Sequence, residues 1–243
     1  MFKNRTYRRQ HKKKGLVSFD ITVKETNLNI QAGTDLTDKA IKSVLTCRNF
    51  IETYIKINPQ FATSLVPINE PGPAPQIIRD MIKAAKLANV GPMAAVAGAV
   101  AQHAAKSLLE YTREVVVENG GDIFVKSDSE TIFSIYAENT PFSMTTGIKV
   151  EKRDEPYGMC TSSGTLGHSK SFGKADAATV LSDSCILADA TATRLCNMVQ
   201  KAGDIKKAID AGIAIPGIQG IVIIKGKNIG LWGDLKLVKV SAQ

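Results

Sequence analysis

The block Val90-Gly91-Pro92-Met93-Ala94-Ala95-Val96-Ala97-Gly98-Ala99 constrains this chain more than any other. Side chains this small neither cover a surface nor hold a helix by polar pairing, and they let another backbone or a flat ligand approach closely. Pro92 suits the first turn of a helix, where its missing N–H costs nothing. The block therefore predicts a helix over 93–109 that is buried along most of its length.

Two further segments ask for special backbone or special chemistry. Val117-Glu118-Asn119-Gly120-Gly121-Asp122 reads as a strand running into a tight hairpin turn, with a carboxylate at its exit. Its glycines would also admit a ring or a phosphate. Ala188-Asp189-Ala190-Thr191-Ala192-Thr193 puts Asp189 and Thr193 at i and i+4, on one face of a helix. A carboxylate and a hydroxyl there suit a hard cation such as Mg²⁺ or Ca²⁺ rather than zinc. The plainer alternative is an Asp near a helix N-terminus, helped by the helix dipole, with a surface Thr beside it. The alanines around both residues argue for tight packing instead.

The stretch from Thr161 through Ser162, Ser163, Gly164 and His168 to Lys174 offers backbone N–H groups, six hydroxyls, an imidazole and two ammonium groups. These are the parts of a phosphate or pyrophosphate cradle. The spacing is not that of a P-loop, since Ala175 stands where Ser or Thr is required. An ordinary surface loop is the competing reading. His11 lies in a basic arm, and His103 in the alanine helix reads as a satisfied structural histidine.

The net charge of +8 suggests nucleic acid until it is located. Seven of the positive charges, with no acid, lie within the first fourteen residues, so the body is nearly neutral. A basic groove across the fold is not supported, and nucleic acid is not an expected partner. We divide the chain into a basic arm, 1–14, and a domain, 15–243. The arm reads either as a solvated leader or as a tail for an acidic partner. Four scattered cysteines without CxxC spacing point to a reducing compartment. With no apolar run of membrane-spanning length and no signal-peptide pattern, the expectation is a cytoplasmic protein away from membranes, with oligomers open.

Alternation over Leu16–Val23 and Leu28–Ile30 predicts a β-hairpin, and helical spacing from Leu36 to Ile55, Leu45 included, predicts a long amphipathic helix on it. Helices over 77–87 and 93–109 follow a proline-rich break. Strands are then expected over 114–117, 123–126, 131–137, 157–161 and 177–181, with helices over 184–198 and 204–211. The strands Ile221–Ile224 and Leu235–Val240 should close the chain. This order gives α+β with a largely antiparallel sheet, in one two-lobed domain.

Glu118-Asn119-Gly120-Gly121-Asp122-Ile123 resembles the NxGGDI element of the ApbE flavin transferases, and Ala188 to Thr193 resembles their ADA-x-x-T metal motif. Thr161-Ser162-Ser163-Gly164 followed by His168 resembles their T-S-G segment and histidine. The Val90–Ala99 block, with Tyr7-Arg8 and Lys24-Glu25-Thr26, is similar over nearly the whole chain to a family of compact ApbE-related cytoplasmic proteins of bacteria and archaea. The resemblance implies an ApbE-like, T-fold-related architecture that binds FAD or FMN with Mg²⁺. It implies metal ligands Asp189, Thr193 and the Val96 carbonyl, and catalytic roles for His168 and Asp189. Contacts to the flavin nucleotide would come from Gly98, Asn119, Gly120, Gly121, Asp122, Thr161, Ser162, Ser163, Gly164 and His168. It further implies FMN transfer to an acceptor protein or FAD hydrolysis, or alternatively a non-catalytic flavin- or nucleotide-binding accessory protein in anaerobic sulfur assimilation, where homocysteine is formed, with a sulfur-pathway protein as partner. The chain departs from the transferases at Ala97, where they carry a Lys, and it lacks their DPxTG continuation after the histidine.

Overall fold

The computed structural model of the chain describes residues 13, 15–69, 72–137, 139–164 and 173–240. It opens on the expected hairpin, β1 (Val17–Val23) paired antiparallel with β2 (Thr26–Ala32). In α1 (Thr37–Ile57) the buried stripe is Ala40, Val44, Cys47, Ile51 and Tyr54, a spacing of three or four that faces the sheet. Leu45 lies off that stripe and is 51% exposed, so Cys47 takes the inward place expected of it. A single turn, α2 (Gln60–Thr63), precedes α3 (Gln76–Ala88), which ends on Asn89 at φ 51°.

The chain then bends by 104° into the small-residue segment. Gly91 makes the junction possible, because a Cβ there would lie 1.8 Å from the Ser64 carbonyl oxygen. The segment begins as a 3-10 turn, Pro92–Ala95, and continues as α4 (Val96–Leu108). Gly98, Ala99, Val100, Ala101, Gln102, Ala104, Ala105 and Leu108 are buried, as the close-approach argument requires. Among the described residues no single helix is long and apolar enough to cross a membrane.

Four strands follow, β3 (Val115–Asn119), β4 (Asp122–Lys126), β5 (Thr131–Ser134) and β6 (Thr146–Val150), then β7 (Tyr157–Ser162) and β8 (Ala177–Ser182). Ser184 caps α5 (Cys185–Met198) by accepting from the Leu187 N–H, as Ser does at helix starts. The chain closes with α6 (Ile205–Ile213), β9 (Ile218–Lys225), β10 (Asn228–Gly233) and β11 (Lys236–Lys239).

The main sheet runs β1-β2-β3-β4-β7-β8-β9-β10, with every neighbouring pair antiparallel, and β11-β6-β5 form a second sheet. The fold is thus α+β. Successive strand residues face opposite sides, and the core divides accordingly. Val115, Val117, Phe124, Cys160, Val180, Ile221 and Ile223 join the helices in one cluster. Val116, Val125, Met159, Leu181, Val222 and Ile224 pack instead with Phe133 and Ile148 of the small sheet.

One expectation at the C-terminus is corrected. The strand after Ile221–Ile224 is β10, and the Leu235–Val240 strand leaves the main sheet to pair with β6 as β11. Gly233 makes the crossing, at φ 94° with the Gln219 carbonyl oxygen 2.0 Å from where a Cβ would stand. Of the basic arm, Lys13 is described. Its N–H donates to Gln31 Oε1 at 2.8 Å and its ammonium donates to Ser127 Oγ, which moors the arm's end to the body.

Candidate functional site

The register of the main sheet builds the site's floor. Asn119 stands opposite Asp122 across the Gly120-Gly121 turn, Asp122 opposite Cys160, and Cys160 opposite Val180. Paired residues share a face, so Asn119, Asp122 and Cys160 lie in one row beneath the helices. Gly120 takes φ 80°, and a Cβ on Gly121 would sit 3.0 Å from the Thr161 carbonyl oxygen.

Helices α4 and α5 form the roof, pressed together at Gly98. A Cβ there would lie 2.5 Å from the Cys185 carbonyl oxygen and 2.8 Å from the Asp189 Cβ. The amino end of α4 has Ala95 in the capping position and so no capping side chain of its own. Asp189 reaches over from α5 instead, and its Oδ2 accepts the Gly98 N–H at 2.8 Å. From below, Asn119 Nδ2 donates to the Ala97 carbonyl oxygen at 3.1 Å. One turn further along α4, Gln102 Oε1 accepts the Cys185 N–H, the first of α5, at 2.8 Å. Gly98 meets Asp189 while Gln102 meets Cys185, so the two helices run antiparallel.

The electrostatics are those of an acidic interior. Burial pushes the Asp189 carboxyl up to about 7, against the opposing pull of the Gly98 and Ala97 N–H groups. Asp122 is held well above the usual carboxylate range by burial and then by the charge of Asp189, although a hydrogen bond from Cys160 favours its ionised form. Among the described residues, no lysine or arginine acts on either carboxylate. Arg194 turns away to donate to the Ala88 carbonyl oxygen at 3.3 Å. The Cys160 and Cys185 sulfurs lie 3.5 Å apart, fully buried, and burial pushes both thiols up. Both are therefore protonated at neutral pH, which is the unreactive form of a thiol.

Gly98, Asn119, Gly120, Gly121, Asp122 and Asp189 are thus brought together. Thr193, half-buried, lies one turn beyond Asp189 on the same face of α5, and half-buried Val96 opens α4 two residues before Gly98. Thr161 projects to the opposite face from Cys160, where its hydroxyl meets that of Thr179 at 2.9 Å. Ser162, Ser163 and Gly164 lead into the glycine loop, whose stem is closed by the Gly164 N–H donating to the Ala175 carbonyl at 2.9 Å. Close packing tightens that stem, since a Cβ on Gly164 would meet the Gly173 carbonyl oxygen at 2.1 Å. Its far end rests on α5, where a Cβ on Gly173 would meet the Cys196 carbonyl oxygen at 1.7 Å. His168 lies outside the described residues. Sequence reasoning missed Gln102, whose one available signal was a lone amide four residues after Gly98 in an alanine helix.

A family model described as AbpE bacteria matches residues 8–231. The chain belongs to that family. A UPF0280 protein of Methanococcus aeolicus is 38% identical over 235 residues, covering 91% of this chain and 95% of the relative. A UPF0280 protein of Methanocaldococcus jannaschii is 39% identical over 228 residues, covering 91% and 93%. Among solved structures, the chain shares its fold with a mutant of the flavin transferase ApbE from Vibrio cholerae. The TM-score is 0.56 at 12% identity, covering 90% of this chain and 97% of that one. The apo flavinyl transferase ApbE of Pseudomonas stutzeri gives 0.53 at 14%, covering 90% and 94%. The fold of this ApbE-like protein is therefore that of the flavin transferases.

Proposed function

We propose that the α4–α5 junction binds a flavin nucleotide together with a divalent cation, and that the chemistry it serves is cleavage of the FAD diphosphate. The observation that carries this is the Asp189 carboxylate, buried beside Asp122 without a lysine or arginine on either among the described residues. Two buried carboxylates in that state require protons or a cation. The donors at hand are oxygens, which fits Mg²⁺. Asp189, Thr193 and the Val96 carbonyl would hold it, and when bound the ion would neutralise charge on the diphosphate.

The chain's own residues supply the remainder. Asp189 accepts the Gly98 N–H on its Oδ2, which fixes the carboxylate at the start of α4. The Gly120-Gly121 turn gives a phosphate or ring room at the row's end. The closely packed helices leave Asp122 and Asp189 less than a tenth exposed. His168 is proposed to exchange a proton at the cleaved phosphate, and FMN would pass to water or to a Ser or Thr of an acceptor protein. Ala97 favours a second reading, a flavin-binding protein that transfers nothing, because the transferases place a Lys there.

Incubation with FAD and Mg²⁺ separates the readings. Mg²⁺-dependent release of AMP supports cleavage, and bound FAD that stays intact supports the second reading. Absence of FAD binding with and without Mg²⁺ overturns both.

A further inference from the structure

Gln102 is buried, 6% exposed, yet no part of the proposed ligand set includes it. A buried amide in an alanine helix is costly unless its hydrogen bonds are met. Its oxygen is spent on the one group that sets where α5 begins, the Cys185 N–H at 2.8 Å, and the Ser184 hydroxyl donates to the same oxygen at 3.5 Å. One turn along, Asp189 returns the contact to the first turn of α4. The two helices thus cap each other, α4 holding the start of α5 through Gln102 and α5 holding the start of α4 through Asp189. A second tether, Asn119 to the Ala97 carbonyl, fixes the same α4 turn to the sheet.

We propose that Gln102 is a positioning residue for the Asp189 site: it fixes the slide of α5 against α4, and so the place of the Asp189 carboxylate relative to the first turn of α4. At the crossing itself Gly98 and the alanines lack side chains that interlock, so the side-chain hydrogen bonds of Gln102 and Asp189 set the register of α5 on α4. Without the Gln102 acceptor, α5 loses its first hydrogen bond to α4 and Asp189 loses its fixed distance to Gly98. This inference rests on the proposed metal site only for its consequence, not for the positioning itself. Groups that orient a metal ligand typically change metal affinity by about 10- to 100-fold when removed.

The test compares wild type with Gln102→Met, which keeps length but not the acceptor, and with Gln102→Glu, which restores an acceptor oxygen. Amide exchange at Gly98 in the ligand-free protein is the primary readout. The expected result is a loss of Gly98 protection in Gln102→Met beyond what its loss of global stability accounts for, with recovery in Gln102→Glu. Ile148→Ala, on the other face of the sheet, serves as a control destabilised elsewhere. If Gly98 protection in Gln102→Met follows global stability as it does in the control, Gln102 is merely structural and the proposal is overturned. Should Gln102→Met fail to fold, Gln102→Asn, whose shorter amide withdraws the acceptor from the Cys185 N–H, takes its place. Loss of Gly98 protection beyond global stability is then expected, and protection that follows global stability as in the control overturns the proposal. Titration of Mg²⁺ in the presence of FAD is read separately, and about 10- to 100-fold weaker Mg²⁺ binding in Gln102→Met is expected. A wild type that binds no Mg²⁺ removes the proposed function while leaving the positioning result to stand or fall on Gly98.

Discussion

The two faces of the eight-stranded sheet both carry an apolar core, and they part company near the β3–β4 turn. Toward the small sheet, Val116, Val125, Met159, Leu181, Val222 and Ile224 meet Phe133 and Ile148 in an apolar core. Toward α4 and α5, near the β3–β4 turn, the same strands present Asn119, Asp122 and Cys160, and the helices above bring a glycine and an aspartate. The first face gains stability from burial alone. The second carries an apolar core of Val115, Val117, Phe124, Val180, Ile221 and Ile223 under the helices, but near the β3–β4 turn it buries two carboxylates, which lowers stability unless a ligand compensates. Proteins concede stability in this way at functional sites, and the contrast supports placing the proposed site there without reference to any relative.

Mutations on the two faces should separate stability from ligand response. Ile148→Ala, in the apolar core, is expected to cost the most, about 2–5 kcal/mol in urea unfolding, while leaving the thermal shift caused by Mg²⁺ and FAD unchanged. A lost shift in that variant would mean the faces are not independent. Gly98→Ala forces a Cβ against the Cys185 carbonyl and should cost about 1–3 kcal/mol, and the ligand-induced shift should vanish with it. A retained shift would mean the α4–α5 contact is packing only. Deleting residues 1–12 is expected to change stability least, by under about 0.5 kcal/mol in the same assay, since the arm carries no long apolar run.

How much of this was legible beforehand follows the same division. The small-residue block foretold a buried helix, Ser184 marked the start of α5, and Asn-Gly-Gly-Asp marked the β3–β4 turn, because each is a local rule acting over a few residues. Of the second sheet, two strands, over 131–137 and 235–240, were legible, but β6 and the sheet's separation from the main sheet were not. Its central strand β6 pairs with β11, Lys149 opposite Lys236, across a separation that no local pattern encodes. Strand β10 was hidden by its glycines, of which Gly230 leaves room for Ile205 and Ile209 of α6. For the site, the chemistry of Asp189 could be read from spacing, while its company with Gly98, Asn119 and Asp122 came from the resemblance and not from any local pattern. That the charge of Asp189 would act directly on Asp122, and that Gln102 would hold the helix, depended on sheet register and on the sense of a helix crossing.

The central claim is that Asp189 is a buried carboxylate poised for a cation, and Asp189→Asn tests it most directly through thermal stability across pH with and without Mg²⁺ and FAD. A carboxyl held at about 7 takes up its proton on folding, so its contribution is fully present below about 4 and is lost as pH rises through about 7. The ligand-free wild type should accordingly lose stability over that range relative to the Asn variant, which should be as stable or more stable at pH 8. Stabilisation of the wild type by Mg²⁺ with FAD should grow over the same range, because the ion takes the deprotonated carboxylate, and should be absent from the variant at every pH. An Asn variant that keeps the Mg²⁺-dependent shift, or that is less stable than the ligand-free wild type at pH 8, would contradict the account.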